Sequence, residues 1–452
     1  MRYGTIGSER FASPFSAQVL RRSFNRVWFY GSCFRRKKGG RTVPQPIGVF
    51  PGAAGFFLLP SVPEGDSLLP LLLRGYLPDM CPENWRFFVA AIEGESEDVV
   101  LSLLPQGPEG IYNRFVLKPN VQTYVLGRES LEGDVSLLLE AVAWRLGLRE
   151  TPPPYDGTAG EIRAFLLATQ AYGAFQRNDW SEGLALLLEA AKTARDVSPV
   201  FSARLYAEWA ATKQMLGDHS QETVEGYRCA LGLLETSSFQ EARAELWFQL
   251  GTAYQTGAEG RKGPLLEAVR CYHEALKVYR KDTYPESYAM VHMNLALAYL
   301  AMPAMDRGAR LRAAAAIQSL REALRIFRQD THPEHWASAT VNLANALQHV
   351  KTSHPEDNLW EAVALYEDVL AVRRPGEDPM GYARVLANQG NALAHLGAFS
   401  RAVPRLEEAG QLFRAHGEHE AAESVENILA EIGRKRENIA ASNEKFGDGK
   451  HK

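Results

Sequence analysis

The sequence predicts a mainly α-helical solenoid of about six helix-turn-helix repeats, preceded by a small α/β domain. Three observations lead to this prediction: a segment that recurs at nearly constant spacing, a second amphipathic segment after each copy, and a different pattern in the residues before them. At 452 residues the chain is too long for one ordinary compact core, since single domains usually have about 100 to 200 residues. A repeat array or several domains is therefore expected.

The recurring segment combines amide and small side chains. Each of the four clearest copies has an amide residue, then Leu or Gln, then Gly or Ala, and an Ala two residues further on. Taking the small residue of each copy as equivalent, the intervals are 45, 48 and 46 residues between Gly251, Ala296, Ala344 and Gly390. Regular spacing of this kind is typical of stacked two-helix units.

A second amphipathic segment follows each copy, so two helices per repeat are expected. These segments are Leu266–Ala275, Ile317–Ala323, Leu359–Tyr366 and Ala402–Ala409. Looser copies around Ala171 and Ala210 bring the total to about six repeats over residues 160–436. Small residues at the equivalent positions allow paired helices to approach closely. We expect residues 418–436 to form a polar capping helix, because a solenoid's last repeat otherwise exposes an apolar face, and residues 437–452 to be a disordered tail.

Residues 1–47 differ from the rest in composition. They carry ten Arg and Lys side chains and one acid, Glu9. A targeting segment, a stretch upstream of the true start, and a genuine basic arm all fit this composition. The segment has no apolar periodicity, so we expect disorder in each case.

Residues 48–150 show short apolar runs broken by Pro and Gly, which favours a small α/β domain. The predicted strands are 85–92, 98–104, 112–117 and 123–126, and the stretch Leu131–Leu148 has the spacing of an amphipathic helix. The run Pro152–Pro154 stiffens the chain and marks the boundary with the repeats.

Composition narrows the classes of function. Hydrophobic residues make up 46% of the chain and charged residues 23%, as in soluble globular proteins. A formal net charge of −4 argues against a nucleic-acid partner, which requires a positive field. The four cysteines show no metal or disulfide spacing, so a reducing, cytoplasmic setting is expected. The apolar stretch Val49–Pro60 is too short to span a membrane, which takes about 20 residues, so no membrane insertion is expected.

At the recurring segments the chain resembles tetratricopeptide repeat (TPR) proteins. The longer middle repeats, with Asp282–Glu286 and Asp330–Glu334 before the next first helix, are similar to those of kinesin light chains. The resemblance implies a TPR α-solenoid whose concave face binds a protein or peptide partner through asparagines. The residues it points to are Asn294 and Asn342, with Asn388 and Gln249 in equivalent places, Asn345 and Asn391 one turn further on, and Arg384 as a neighbour that adds specificity.

The same asparagines also suit a purely structural role, satisfying loops or helix ends of adjacent repeats. No lysine set accompanies them, which argues against recognition of an acidic chain terminus. No nucleophile, base and orienting group can be named together, and neither a metal nor a cofactor is predicted. The leading hypothesis is a non-enzymatic scaffold or adaptor. The alternatives are an accessory or assembly factor that engages a specific enzyme through the N-terminal domain, and an unfamiliar enzyme in that domain.

Overall fold

The computed structural model describes residues 46, 48–50, 53–63, 65–303, 308–350 and 354–447. These residues form 19 α-helices and two short 3₁₀ turns, with no β-strand among them. The chain divides into two compact units, the first ending at Gly257 and the second beginning at Ala258. The predictions for residues 1–47 lie outside the described residues, apart from position 46.

The prediction of a small α/β domain over residues 48–150 is wrong, because this region is helical. Its helices are α1 (Gly65–Leu72), α2 (Arg86–Glu93), α3 (Glu97–Ser102), α4 (Pro108–Leu117), α5 (Val121–Ser130) and α6 (Gly133–Arg145). All four predicted strands fall largely within α2 to α5, whereas the helix predicted at Leu131–Leu148 corresponds to α6. Short apolar runs fit a buried helix as well as a strand, and at one of these helices a capping residue favours the helix. Asn120 forms a capping box with Thr123 at the start of α5.

In an extended segment of this region, side chains and not neighbouring strands make the hydrogen bonds to the backbone. The fully buried Asn113 of α4 accepts a hydrogen bond from the Leu58 amide at 2.6 Å and donates to the Leu58 carbonyl at 2.9 Å. The indole nitrogen of Trp85 donates to the Pro60 carbonyl at 2.9 Å. These bonds satisfy backbone groups that would otherwise be buried without partners. We call residues 48–153 the N-terminal region.

The repeats begin at residue 160. The first unit contains α7 (Gly160–Gln176), α8 (Trp180–Ala194), α9 (Pro199–Met215), α10 (Gln221–Leu233) and α11 (Gln240–Thr256). The second unit contains α12 (Lys262–Ala275), α13 (Pro285–Ala301), α14 (Ala309–Leu324), α15 (Pro333–His349), α16 (Pro355–Val372), α17 (Pro379–His395), α18 (Phe399–Ala415) and α19 (His419–Gly447). From α7 onward, each helix packs against the next along the chain within its unit. Counting these helices two at a time from α7 numbers the repeats one to six, and the two helices of the third fall in different units.

Local sequence explains where these helices begin and end. Proline stands in the first turn of α9, α13, α15, α16 and α17, where its lack of an N–H and its fixed φ are favourable. Gly217, Gly397 and Gly417 follow helix ends with φ of 83°, 74° and 79°, a left-handed conformation that glycine adopts without strain. These residues therefore stop and start helices at defined points of the chain.

The predicted close contacts between paired helices are present in the second unit. Ala296 and Ala344 of the first helices, and Ala323 and Ala409 of the second helices, are fully buried. At Gly390 a Cβ atom would lie 2.7 Å from Cγ of Leu406 in the paired helix. Side-chain size at these positions thus sets the distance between the helices.

The last helix covers the end of the second unit. Ala422, Val425, Ile428 and Ile432 of α19 are buried along one face, and the helix packs against α18. The tail predicted to be disordered from residue 437 is helical as far as Gly447, and residues 448–452 lie outside the described part.

Replacing Gly390 by alanine tests the close contact. We expect Gly390→Ala to lower the free energy of unfolding by about 1–3 kcal/mol, because the methyl group overlaps Leu406. Urea unfolding followed by circular dichroism measures the change. Gly433→Ala is the control, because nothing lies within 4 Å of a Cβ at that exposed helical glycine. The control should be neutral or stabilising by up to about 1 kcal/mol. Equal effects of the two variants would contradict this account.

Candidate functional site

The first helices of repeats four, five and six, α13, α15 and α17, carry most of the predicted site residues. His332, just before α15, contacts Glu286 of α13 with its Nε2 atom 3.3 Å from Oε1. Asn388 of α17 donates from Nδ2 to Oδ1 of Asn345 in α15 at 3.2 Å. The three helices are thus successive neighbours. We call the surface formed by Asn294, Asn342, Asn345, Asn388 and Asn391 the amide face.

A buried hydrogen-bond network lies at the centre of the amide face. Asn345 Oδ1 accepts hydrogen bonds from Asn388 and from the hydroxyl of Tyr366 in α16. Gln348 Nε2 donates to the same hydroxyl at 2.6 Å. Burial raises the pKa of Tyr366 well above its ordinary value, since desolvation disfavours the phenolate, and the Gln348 bond opposes this only in part. Two repeats are therefore joined by neutral polar side chains.

Three of the five asparagines are almost inaccessible to solvent. Asn342, Asn388 and Asn391 are 6%, 3% and 5% exposed. Asn342 Nδ2 and Ser338 Oγ, one turn apart on α15, have no hydrogen-bond partner within the described residues. A buried polar group of this kind costs about 1–3 kcal/mol. The structure therefore gives Asn388 a role between repeats and leaves Asn342 with an unused donor.

The remaining predicted residues are more accessible. Asn294 is half-buried, and its Nδ2 donates to the carbonyl of Met290 in the preceding turn at 3.0 Å. Arg384 is half-buried on α17, one turn before Asn388, and makes no hydrogen bond or ion pair with any described residue. Gln249 lies on α11 in the first unit, where its Nε2 donates to Glu245 at 2.6 Å. Gln249 is thus not among the residues shown to lie together.

Sequence reasoning missed the contribution of the second helices. Tyr366 stands four residues after the buried Ala362, and the corresponding place after Ala402 is held by the apolar Leu406. A tyrosine where a neighbouring repeat has leucine indicates a polar partner on the paired helix. Comparing repeats at this position could have found the residue.

No group of three or more His, Cys, Asp and Glu side chains in the described part of the chain could hold a metal ion. Histidine side chains contact protein groups instead, as His416 Nδ1 does the Leu412 carbonyl at 3.0 Å. No helix in the described ranges is both long and apolar enough to cross a bilayer.

Solved structures similar to this chain are repeat proteins. BtubC (BKLC) from P. vanneervenii is 20% identical and matches over 56% of this chain and 92% of its own, with a TM-score of 0.40. MamA is 16% identical over 48% and 95%, with a TM-score of 0.34. A Podosopora anserina protein described as a kinesin light chain with nearly identical TPR-like repeats is 23% identical over 47% and 95%, with a TM-score of 0.37.

These likenesses are distant, so the architecture rests on the helix pairs themselves. No protein-family model and no curated protein matches the sequence. Within each unit, the helices pack in chain order with fully buried alanines at their contacts, which is an α-helical repeat fold.

Removing Asn345 tests the network. We expect Asn345→Ala to lower the free energy of unfolding by about 2 kcal/mol, because it leaves the Tyr366 hydroxyl and the Asn388 amide with fewer partners in a buried site. Asn294→Ala serves as a control and should change it by less than about 0.5 kcal/mol, since Asn294 bonds only its own helix. Urea titrations of both variants make the comparison. A neutral Asn345→Ala would show that the network adds no stability.

Proposed function

We propose that the chain is a non-enzymatic scaffold or adaptor that binds a segment of a protein partner on the amide face. The observation that carries the proposal is Arg384, a half-buried guanidinium beside Asn388 that makes no ion pair or hydrogen bond with the described residues. A guanidinium has five N–H donors and remains charged. Arg384 thus offers a partner charged hydrogen-bond donors at this surface.

The accessible residues of the face define which contacts a partner can make. Asn294 and Arg384 are half-buried, so a segment laid across the first helices reaches them without unfolding the array. Amide side chains both donate and accept, and thus suit the backbone of an extended segment of any sequence. Arginine, in contrast, selects for carboxylate or carbonyl groups. The amide side chains thus allow segments of many sequences to bind, and Arg384 selects among them.

The setting we propose is cytoplasmic. The four cysteines have no spacing typical of a disulfide framework, which suits a reducing compartment. The net charge of −4 favours a protein partner over nucleic acid.

Changing the accessible residues tests the proposal while sparing the buried network. We expect Asn294→Ala combined with Arg384→Ala to weaken capture of a partner from native lysate by at least about tenfold, because truncating an arginine anchor in an interface often costs about 2 kcal/mol or more. The immobilised intact chain and the variant are compared by quantitative mass spectrometry. Circular dichroism confirms that the helices persist.

The matched control is Arg270→Ala. This arginine lies on α12, a second helix, and is largely exposed beside Glu267. Arg270→Ala removes one positive charge from the second unit, as Arg384→Ala does, and this variant should still bind the partner. Retention of the partner by the double variant at the level of the control would overturn the amide face as the binding surface.

The second candidate function is an accessory or assembly factor that engages an enzyme through the N-terminal region. The observation that favours it is the exposed apolar face of α5, where Val121, Val125 and Leu126 are 65%, 45% and 46% exposed. Apolar side chains grouped on one helix are typical of interaction surfaces.

A charge placed on α5 separates the two functions. If this face binds an enzyme, Val125→Glu abolishes its co-purification, because a carboxylate in an apolar interface must be desolvated. Gln122→Glu adds the same charge at another exposed position of α5 and should have no effect. If both variants retain every partner, the second function is ruled out at this surface.

A further inference from the structure

The N-terminal region lies against the first helix of the repeats. Phe56 contacts Phe165 of α7 edge to face, with ring centroids 6.4 Å apart. The guanidinium carbon of Arg145, the last residue of α6, lies 4.8 Å from the ring centroid of Phe165 and 4.7 Å from that of Tyr172. Contacts from the beginning and the end of the region thus converge on α7.

The segment after α6 covers α7 further along that helix. Gln170 Nε2 donates to the Pro153 carbonyl at 2.7 Å. A Cβ atom at Gly173 would lie 3.2 Å from Cγ of Pro152 and 3.6 Å from a ring atom of Trp144. The backbone of α7 and the N-terminal region therefore approach closely along several turns.

The burial of α7 shows how complete this cover is. Eleven of its 17 residues are buried, including the six consecutive residues Ala164–Thr169. Six consecutive residues pass more than once around a helix of 3.6 residues per turn. The helix is therefore covered on every side, although it belongs to the first repeat of the array.

The cover extends to the second repeat. The Arg204 guanidinium of α9 donates to the Gly48 carbonyl, and the Tyr172 hydroxyl donates to the Glu208 carboxylate of α9. Arg145, Arg204 and Glu208 line one small cleft. Each makes its contacts within the first unit. The N-terminal region thus contacts both first helices at the start of the array.

Sequence spacing relates this cleft to the amide face. Glu208 stands two residues before Ala210, as Asn294 stands two residues before Ala296. Thr169, which is fully buried, stands two residues before Ala171 in the same way. The positions that hold asparagine in repeats four to six hold Thr169 and Glu208 in repeats one and two. Thr169 is buried, and Glu208 accepts the hydrogen bond from Tyr172.

We propose that the N-terminal region is the first cap of the array and the permanent occupant of the first-helix face of repeats one and two, with Arg145 as its anchor. A solenoid needs a covering element at each end, because its terminal repeat otherwise exposes an apolar face. The region supplies that cover with aromatic and aliphatic contacts, and the Arg145 guanidinium lies 4.8 and 4.7 Å from the ring centroids of Phe165 and Tyr172 and lines the cleft that contains Glu208.

The proposal limits where a partner binds. The first-helix face of repeats one and two is unavailable, so a partner segment is confined to later repeats. This consequence rests on the proposed function, whereas the capping role does not.

Hydrogen exchange measured by mass spectrometry on the full chain tests the cap. We expect Arg145→Glu to increase the amide exchange rate of peptides from α7 by at least about tenfold. The reason is that the substitution removes two desolvated cation–π contacts that hold the N-terminal region on this helix. Peptides from α17, in the second unit, should be unchanged. Arg145→Lys keeps the charge but loses the flat guanidinium, and should give an intermediate rate if Arg145→Glu fails to fold.

The matched control is Arg128→Glu, which reverses an arginine of the same region that lies over Tyr124 and pairs with Glu140 away from the repeats. If Arg145→Glu and this control leave α7 equally protected, Arg145 is not the anchor. If peptides of α6 exchange much faster than those of α7 in the unaltered chain, the region opens independently and is not a permanent occupant. Neither measurement requires a partner, so either failure is distinguishable from failure of the proposed function.

Discussion

The close approach of paired helices at small side chains is the constraint on which the rest of the structure depends. A helix of the array has apolar residues on more than one side, and no single pair can bury them alone. Fully buried alanines such as Ala344 and Ala409 let the backbones come together, and larger residues such as Leu406 then fill the remaining space. This packing positions the residues of the amide face, because it determines which side chains of successive first helices lie beside each other.

The same packing explains why the asparagines do not act alike. Asn345 and Asn388 meet across two repeats and bond each other, so their amides stabilise the contact between first helices. Asn294, which stands in repeat four at the position of Asn388, turns its amide back to the carbonyl of Met290 in its own helix. One residue type at one repeat position therefore makes different contacts in different repeats.

The sequence was sufficient to predict the array but not the region before it. The repeat spacing, the amide pattern and a proline in the first turn of a helix each occur in several repeats. Each copy therefore supports the prediction made for the others. The N-terminal region occurs once, and runs such as 112–117 are too short for period alone to separate helix from strand. For the site, the resemblance pointed to the asparagines, and helical spacing put Asn345 and Asn391 one turn further on. Their burial could not be predicted in this way, because burial depends on the distance between neighbouring helices and on Tyr366, a residue of a different helix.

The bond between Asn345 and Asn388 also bears on how such a chain can change over evolutionary time. Arrays built from interchangeable units tolerate duplication, loss and shuffling of a unit, since every junction is alike. Here a unit inserted between repeats five and six would separate Asn388 from the Asn345 oxygen, so the Asn388 amide would lose its acceptor while the Tyr366–Asn345 bond inside repeat five remained. Such an insertion costs a hydrogen bond at this junction unless its own first helix places an acceptor beside Asn388.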